Sequence, residues 1–156
     1  MRPGILSACF VAAVAFTTGC GLSATGRVTA QPSPARTPAE VVSIQLEGLQ
    51  HYDQPAPNAG IWTAYQFASP ANRQVTGPFG RFLQIIRSRS NRGLLHSREW
   101  RIDHVRLAGS QAQVVAVVSD DSGTSSTWTF SLSQQESAAC KGCWMTDGVQ
   151  RSLVPQ

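Results

Sequence analysis

FASPANRQVTGPFGRF, at residues 67–82, marks a corner between short helices. Ser69 precedes Pro70, the arrangement of a helix cap followed by proline at the first helical position. Gly77 and Pro78 mark a second boundary, because glycine often follows the end of a helix and proline often stands at the start of one. The stretch therefore predicts a short helix that stops at Gly77 and an amphipathic helix that starts at Pro78.

Two more helices are predicted on the N-terminal side of this corner. Residues 37–40, TPAE, form a capping box with proline at the first helical position, and apolar residues follow at helical spacing to about His51. Gly48 weakens this helix without ending it. A second helix is predicted over residues 59–68, where apolar residues again recur at helical spacing.

The hydrophobic period changes from helical to alternating on the C-terminal side of the corner. Residues 88–93 have the composition of a loop. Four strands are predicted after it, at about residues 100–107, 113–118, 127–132 and 143–149. The first strand changes phase at Asp103 and His104, which predicts a bulge there. Together these elements predict an α+β fold, with three to four N-terminal helices packed on a curved, four-stranded antiparallel sheet.

The N-terminus resembles a bacterial lipoprotein signal. An apolar run at residues 5–16 is shorter than the roughly 20 residues of a membrane-spanning helix and matches the core of a secretory signal. Gly19 and Cys20 follow it as in a lipobox, whose cysteine is lipidated and becomes the new N-terminus. Thr17 replaces the usual leucine of that motif. An ordinary cleavable signal with an incidental Cys20 is the alternative.

The expected domain organisation follows from this signal. Residues 1–19 are predicted to be the signal peptide, residues 20–36 a lipid-anchored flexible tether rich in Ser, Thr, Pro and Ala, and residues 37–156 a single domain. We expect the protein in the bacterial cell envelope, attached to a membrane through lipidated Cys20, with the domain on the periplasmic side.

Cys140 and Cys143 are the cysteines that remain in the predicted domain after Cys20. An exported protein lies where disulfides persist, so we expect these two to form a bridge across the turn CKGC. A zinc site needs about four ligands, and two cysteines with three scattered histidines do not supply them. No metal or other cofactor is expected.

Basic residues cluster in one part of the chain, which has a net charge of +4. Seven arginines fall between residues 81 and 106: Arg81, Arg87, Arg89, Arg92, Arg98, Arg101 and Arg106. Export argues against nucleic acid as a partner. The cluster is interpreted as a solvated basic face, with anionic lipid headgroups or an acidic protein partner as alternatives.

Three motifs resemble a known family. QLEGLQHYDQ, YQFASPANRQVTGPFGRF and GCWMTDGV are similar to an uncharacterised family, a domain of unknown function within the nuclear transport factor 2-like superfamily, the α+β cone. The resemblance covers residues 41–153. It implies a cone-like fold that hosts isomerase-like and dehydratase-like enzymes as well as many non-catalytic binding domains, so it does not by itself select a function.

Catalysis on such a fold would need a base in the cone, held by a partner. Asp53, Asp103 and His104 are the candidates, with Asp147 as a further acid and Tyr65 as a hydrogen-bond donor. Asp103 and His104 are adjacent in a predicted strand, so only one of them would face the interior unless the bulge intervenes. Asp53 has the alternative role of capping the segment that follows it.

Asn72 and Arg73 are the polar pair of the opening stretch. The planar fork of Arg73 suits a carboxylate or phosphate, which makes the pair a candidate anion site. The favoured interpretation is structural: Arg73 pairs with Glu47 or Asp53, and Asn72 hydrogen-bonds exposed backbone where two helices meet.

The sequence thus favours a membrane-tethered exported domain that binds a partner protein or a small ligand without catalysis. The alternative is a cone-fold enzyme that performs acid–base chemistry on a small apolar molecule.

Overall fold

The computed structural model describes residues 30–152, and these form an α+β fold of five helices followed by four strands. The elements are α1 (Pro38–Gln50), α2 (Ala59–Gln66), α3 (Pro70–Thr76), α4 (Phe79–Ile86), α5 (Arg92–Leu95), β1 (Ser97–Ala108), β2 (Gln111–Asp120), β3 (Ser125–Gln134) and β4 (Trp144–Ser152). The strands pair antiparallel in chain order and form an open sheet. Within the described part of the chain, no helix has the length and apolar character needed to cross a membrane.

The predicted helix starts at α1 and α3 are confirmed. The Thr37 hydroxyl accepts from the Glu40 backbone amide at 3.3 Å, and the Glu40 carboxylate accepts from the Thr37 amide at 2.7 Å. This second hydrogen bond is the main reason why the pKa of Glu40 lies below its usual value. At α3, the Ser69 hydroxyl accepts from the Asn72 amide at 3.1 Å. Both caps therefore follow local sequence rules.

The predicted number of helices is wrong, because α5 is a fifth helix. It begins within the segment that we predicted as loop, and its N-terminus has no side-chain cap. So short a helix is marginal on its own propensity. Its stability comes from Leu94 and Leu95, both of which are buried in the core.

The predicted bulge in β1 is confirmed. The pairing of β1 with β2 shifts between Ile102 and His104. Ile102 pairs with Ala116, and Val105 pairs with Val114. The step from Ile102 to Val105 along β1 is three residues, whereas the matching step along β2 is two, so β1 contains one extra residue. Both β1 side chains therefore lie on the sheet face that carries buried Ala116 and Val114.

The core lies between the helices and this inner face of the sheet. Its fully buried large side chains include Val41, Val42, Leu46, Ile61, Phe67, Val114, Val118, Trp128, Phe130 and Leu132. Alternate residues of β2 and β3 supply the sheet side of the core, as the predicted alternation requires.

Helices α1 and α2 approach most closely at two glycines. A Cβ atom on Gly60 would lie 1.9 Å from the carbonyl oxygen of Gly48, and one on Gly48 would lie 2.8 Å from the carbonyl oxygen of Gly60. Gly48 therefore has a packing role in α1, because only glycines permit this backbone contact.

The two domain cysteines lie in the connection between β3 and β4. Their sulfurs are at disulfide-bonding distance, their Cα atoms are 5.5 Å apart, and the Cys143 amide donates to the Cys140 carbonyl at 3.1 Å. The expected pair is thus present. It closes a tight turn inside the loop, whereas we expected it to join the two strands, because β3 already ends at Gln134.

The segment before α1 touches the domain. Ala30 packs against the hydrophobic core, and the Arg36 amide donates to the Ser33 carbonyl at 3.1 Å. The C-terminal part of the predicted tether therefore contacts the folded helices. The signal peptide, Cys20 and the start of the tether lie outside the described residues.

Candidate functional site

The motifs FASPANR and TDGV meet at one point of the fold. Ala68 and Thr146 form an isolated parallel bridge, in which the Thr146 amide donates to the Phe67 carbonyl at 2.8 Å and the Ser69 amide donates to the Thr146 carbonyl at 2.9 Å. Asn72 Nδ2 donates to the same Thr146 carbonyl at 3.0 Å, so its predicted bond to backbone is confirmed. The α2–α3 corner is thereby fixed to β4.

Gln45 extends these contacts into the interior. Its Oε1 accepts from the Thr146 hydroxyl at 2.7 Å, and its Nε2 donates to the Ala64 carbonyl at 3.1 Å. Gln45 is only 5 % exposed, so these bonds satisfy polar atoms that water cannot reach. We call the whole set the corner network; its members are Gln45, Ala64, Phe67, Ser69, Asn72 and Thr146.

Gln45 was not among the predicted site residues, although its position in the sequence indicates that it is buried. It lies four residues after Val41 and four before Leu49, both of them apolar and buried, so it occupies the core face of α1. A polar residue on a predicted apolar face needs buried partners, and these partners are distant in sequence.

Arg73 caps the C-terminal end of α2. Its Nη2 donates to the carbonyls of Tyr65 at 3.1 Å and Gln66 at 2.8 Å, and its guanidinium carbon lies 4.8 Å from the centre of the Tyr65 ring. The Tyr65 carbonyl also accepts from the Ala68 amide at 3.1 Å, so the guanidinium adds a second donor there and supplies a donor to the Gln66 carbonyl at the end of the helix. The guanidinium therefore binds helix carbonyls rather than Glu47 or Asp53, the partners that the sequence suggested.

A cavity of about 260 Å³ borders the corner network, between the helices and the inner face of β3 and β4. Its apolar lining includes Leu49, Phe82, Ile86, Leu94, Phe130 and Val149. Its polar lining consists of Gln45, Asn72, Thr76, Asn91 and Asp147. Apolar walls with a few convergent polar groups are typical of small-molecule sites.

A larger and more open groove of about 440 Å³ lies beside the crossing of α1 and α2. Its lining includes Ile44, Pro55 and Trp100, and Ala30 forms part of its edge. Its lining also includes Glu47 and His51, both substantially exposed, with His51 Nδ1 3.3 Å from Glu47 Oε1. We take the smaller cavity as the candidate site because enclosure, rather than size, strengthens polar contacts with a ligand.

The predicted catalytic candidates lie elsewhere. The Asp53 carboxylate accepts from the Asn58 amide at 2.8 Å and so caps the segment before α2. Asp103 pairs with Arg101 on exposed β1, and the neighbouring His104 is also exposed. None of the three candidates lines the cavity or the groove.

Asp147 and Tyr65, the other two residues considered for catalysis, lie apart from Asp53, Asp103 and His104. Asp147 lies at the exposed edge of the cavity and is its only titratable residue in the described part of the chain. The Tyr65 hydroxyl donates to the Gly77 carbonyl at 3.3 Å, and its ring packs on Phe79 and Phe82. Tyr65 therefore stabilises the α3–α4 junction.

The arginine cluster is exposed. All seven of its members have exposed side chains, and they are distributed over α4, α5, β1 and the intervening loop. Arg87 donates to Asn58 Oδ1 at 2.7 Å, and Arg101 pairs with Asp103. Among residues 30–152, no three His, Cys, Asp or Glu side chains are grouped so that they could hold a metal ion.

Comparison with protein-family models, with curated proteins and with solved structures finds no significant match to this chain. Membership of the family suggested by the three motifs therefore stays a prediction. The functional assignment rests on the cavity and on the network that borders it.

Proposed function

We propose that this domain binds a small, largely apolar molecule in the cavity beside the corner network, without catalysing a reaction. The observation that carries the proposal is the cavity itself, about 260 Å³ of mostly apolar surface with polar groups at a few positions. That volume lies just below the roughly 300–1,000 Å³ of pockets for drug-sized ligands, so the ligand is a compact molecule.

Binding is favoured over catalysis by the small number of reactive groups. General acid–base catalysis uses a titratable group that a partner orients toward the substrate. Asp147 is the one titratable residue of the lining, and no side chain in residues 30–152 hydrogen-bonds its carboxylate. An isomerase-like or dehydratase-like activity would depend on Asp147 alone.

The proposal includes the setting of the domain. The signal-like N-terminus supports export and attachment to a membrane of the bacterial envelope through lipidated Cys20, with the binding domain on the periplasmic side. The helices on one face of an open sheet, with a cavity between the two layers, support a cone-like fold.

Binding can be tested with cyclohexylmethanol, a compact apolar probe with one hydroxyl group. Ligand-observed NMR on the purified full-length protein should detect the interaction. Val149→Phe places a larger side chain at the partly exposed wall of the cavity and should weaken binding by about tenfold or more.

Leu107→Phe is the matched control, because Leu107 is exposed on β1 and does not line the cavity. It should bind the probe like the native protein. Equal binding by Val149→Phe and by the native protein would place the probe elsewhere and overturn the proposal.

A further inference from the structure

We infer that the ligand carries a hydrogen-bond donor, an amine or ammonium group, on its apolar body. This inference rests on the proposed binding function and adds the chemical class of the ligand.

The side-chain amides of the cavity all have the same orientation toward the protein. Each nitrogen donates to a backbone carbonyl: Asn72 to Thr146 at 3.0 Å, Asn91 to Ile85 at 2.9 Å and Gln45 to Ala64 at 3.1 Å. A carbonyl oxygen only accepts, so its partner must be the amide nitrogen and not the amide oxygen. The protein contacts therefore fix the orientation of each amide group, and Gln45 is bonded at both ends because its oxygen accepts from Thr146.

The side-chain oxygens left for a ligand are acceptors, and Asn72 Nδ2 adds one donor, because only one of its two N–H groups bonds a described residue. Within residues 30–152, no donor reaches Oδ1 of Asn72 or of Asn91, while Asn91 Nδ2 has a second contact to the Ser88 hydroxyl at 3.4 Å. The Thr76 hydroxyl donates to the Asn72 carbonyl at 2.9 Å. The remaining polar group is the carboxylate of Asp147, which is acceptor-only when ionised.

The charge of the cavity also favours a ligand that carries an amine or ammonium group. Among residues 30–152, those that line the cavity include a carboxylate and no cationic side chain. Arg73, the nearest cation in sequence to Asn72, binds the carbonyls at the end of α2. A carboxylate or phosphate ligand would meet oxygen acceptors and a like charge, whereas an ammonium group would form charge-assisted hydrogen bonds.

The proposed ligand charge is opposite to that of the anion site which the sequence offered as the less favoured interpretation of this corner. Asn72 and Arg73 were a candidate anion site because the guanidinium fork suits a carboxylate or phosphate. Arg73 Nη2 binds the end of α2 and Arg73 does not line the cavity, so the same corner presents the Asn72 amide oxygen to the cavity, and Asp147 adds a negative charge.

Three probes of similar size test the inference: cyclohexylmethylamine, cyclohexylmethanol and cyclohexanecarboxylate. Dissociation constants are measured by ligand-observed NMR at pH 7 on the purified full-length protein. We expect the amine, which is protonated at this pH, to bind about tenfold tighter than the alcohol, and the carboxylate to bind more weakly than both.

Asp147→Asn removes the charge with little change in shape. Because Asp147 is exposed, the substitution should weaken amine binding by about threefold and so narrow the preference for the amine over the alcohol. Glu136→Gln, a charge-matched change at an exposed loop residue outside the cavity, should leave all three affinities as they are. Circular dichroism confirms that both variants remain folded.

The outcomes separate the two proposals. If none of the three probes binds, the proposed function fails and the inference fails with it. If the alcohol or the carboxylate binds as tightly as the amine, the ligand class is wrong while the binding function stands. An amine preference that Asp147→Asn leaves unchanged overturns the role given to the carboxylate.

Discussion

Thr146 shows how one residue can join separate segments of a chain. Its amide and carbonyl form the bridge to Phe67 and Ser69, and its hydroxyl donates to Gln45 in α1. The side chain is 1 % exposed. A hydroxyl in that position is specifically required, because the facing Gln45 oxygen is also cut off from water.

Thr146→Val should lower the free energy of unfolding by about 1–3 kcal/mol. Valine has nearly the same shape, so the expected loss comes from the Gln45 Oε1 acceptor that is left buried without its 2.7 Å donor. Urea denaturation followed by circular dichroism measures the change, with the slope of the transition unaltered.

Thr129→Val is the control for this substitution. Thr129 lies on the outer face of β3, where it is half-buried, so its replacement should change stability by no more than about 0.5 kcal/mol. If the two variants are equally stable, the buried hydroxyl has no net role in the corner network.

At the scale of elements, the contact between α1 and α2 depends on two glycines. Gly48 and Gly60 allow the two helix backbones to come together, and both glycines line the groove beside this contact. The cost of glycine inside a helix, roughly 0.5–1 kcal/mol relative to alanine, is offset by this packing.

Gly60→Ala should destabilise the domain by several kcal/mol, because the new methyl group would lie 1.9 Å from the Gly48 carbonyl oxygen and the helices would have to separate. The thermal unfolding midpoint of the purified protein measures this effect. The expected direction is a clear decrease.

Gly80→Ala makes the same chemical change in α4, where a Cβ would have no neighbour within 4 Å. Because only helix propensity changes there, it should raise the free energy of unfolding by roughly 0.5–1 kcal/mol. Two substitutions with the same sign would contradict the assigned contact.

Local rules account for the elements that were predicted correctly. Thr37, Ser69 and the phase change at Asp103 act through neighbours in the chain, so the sequence contains all that is needed. Helix α5 was missed because tertiary burial of two leucines overrides its loop-like composition. Helix α2 stops at Gln66, earlier than its apolar pattern suggests.

Much less of the candidate site could be predicted from the sequence. The three acids and bases singled out there are exposed or cap local turns, while the cavity is lined by residues from distant segments. Whether the oxygen or the nitrogen of the Asn72 and Asn91 side-chain amides bonds the protein depends on the fold around them. Such contacts result from the packing of distant segments, so a local sequence pattern does not predict them.

For the whole molecule, membrane attachment is the prediction with the largest consequence. Cys20→Ala should abolish incorporation of an alkyne-tagged fatty acid in cells, because no other cysteine occupies the lipobox position. Detection of the tag on the purified protein is the measurement. The substitution should also reduce recovery of the domain with the membrane fraction.

Cys9→Ala is the matched control, since Cys9 belongs to the predicted signal and is removed with it. It should retain full labelling. Labelling of Cys20→Ala at the native level would show that Cys20 is not the lipidated residue and would remove the basis for the tether.

The corner network also constrains the order in which the domain is made. Gln45 and Thr146 are 101 residues apart in sequence, and Asn72 and Thr146 are 74 apart. A chain that emerges N-terminus first, from a ribosome or across a membrane, therefore presents all five helices before the strand that closes the corner. Gln45 can gain its Thr146 partner, and the cavity its β4 wall, only after β4 has emerged.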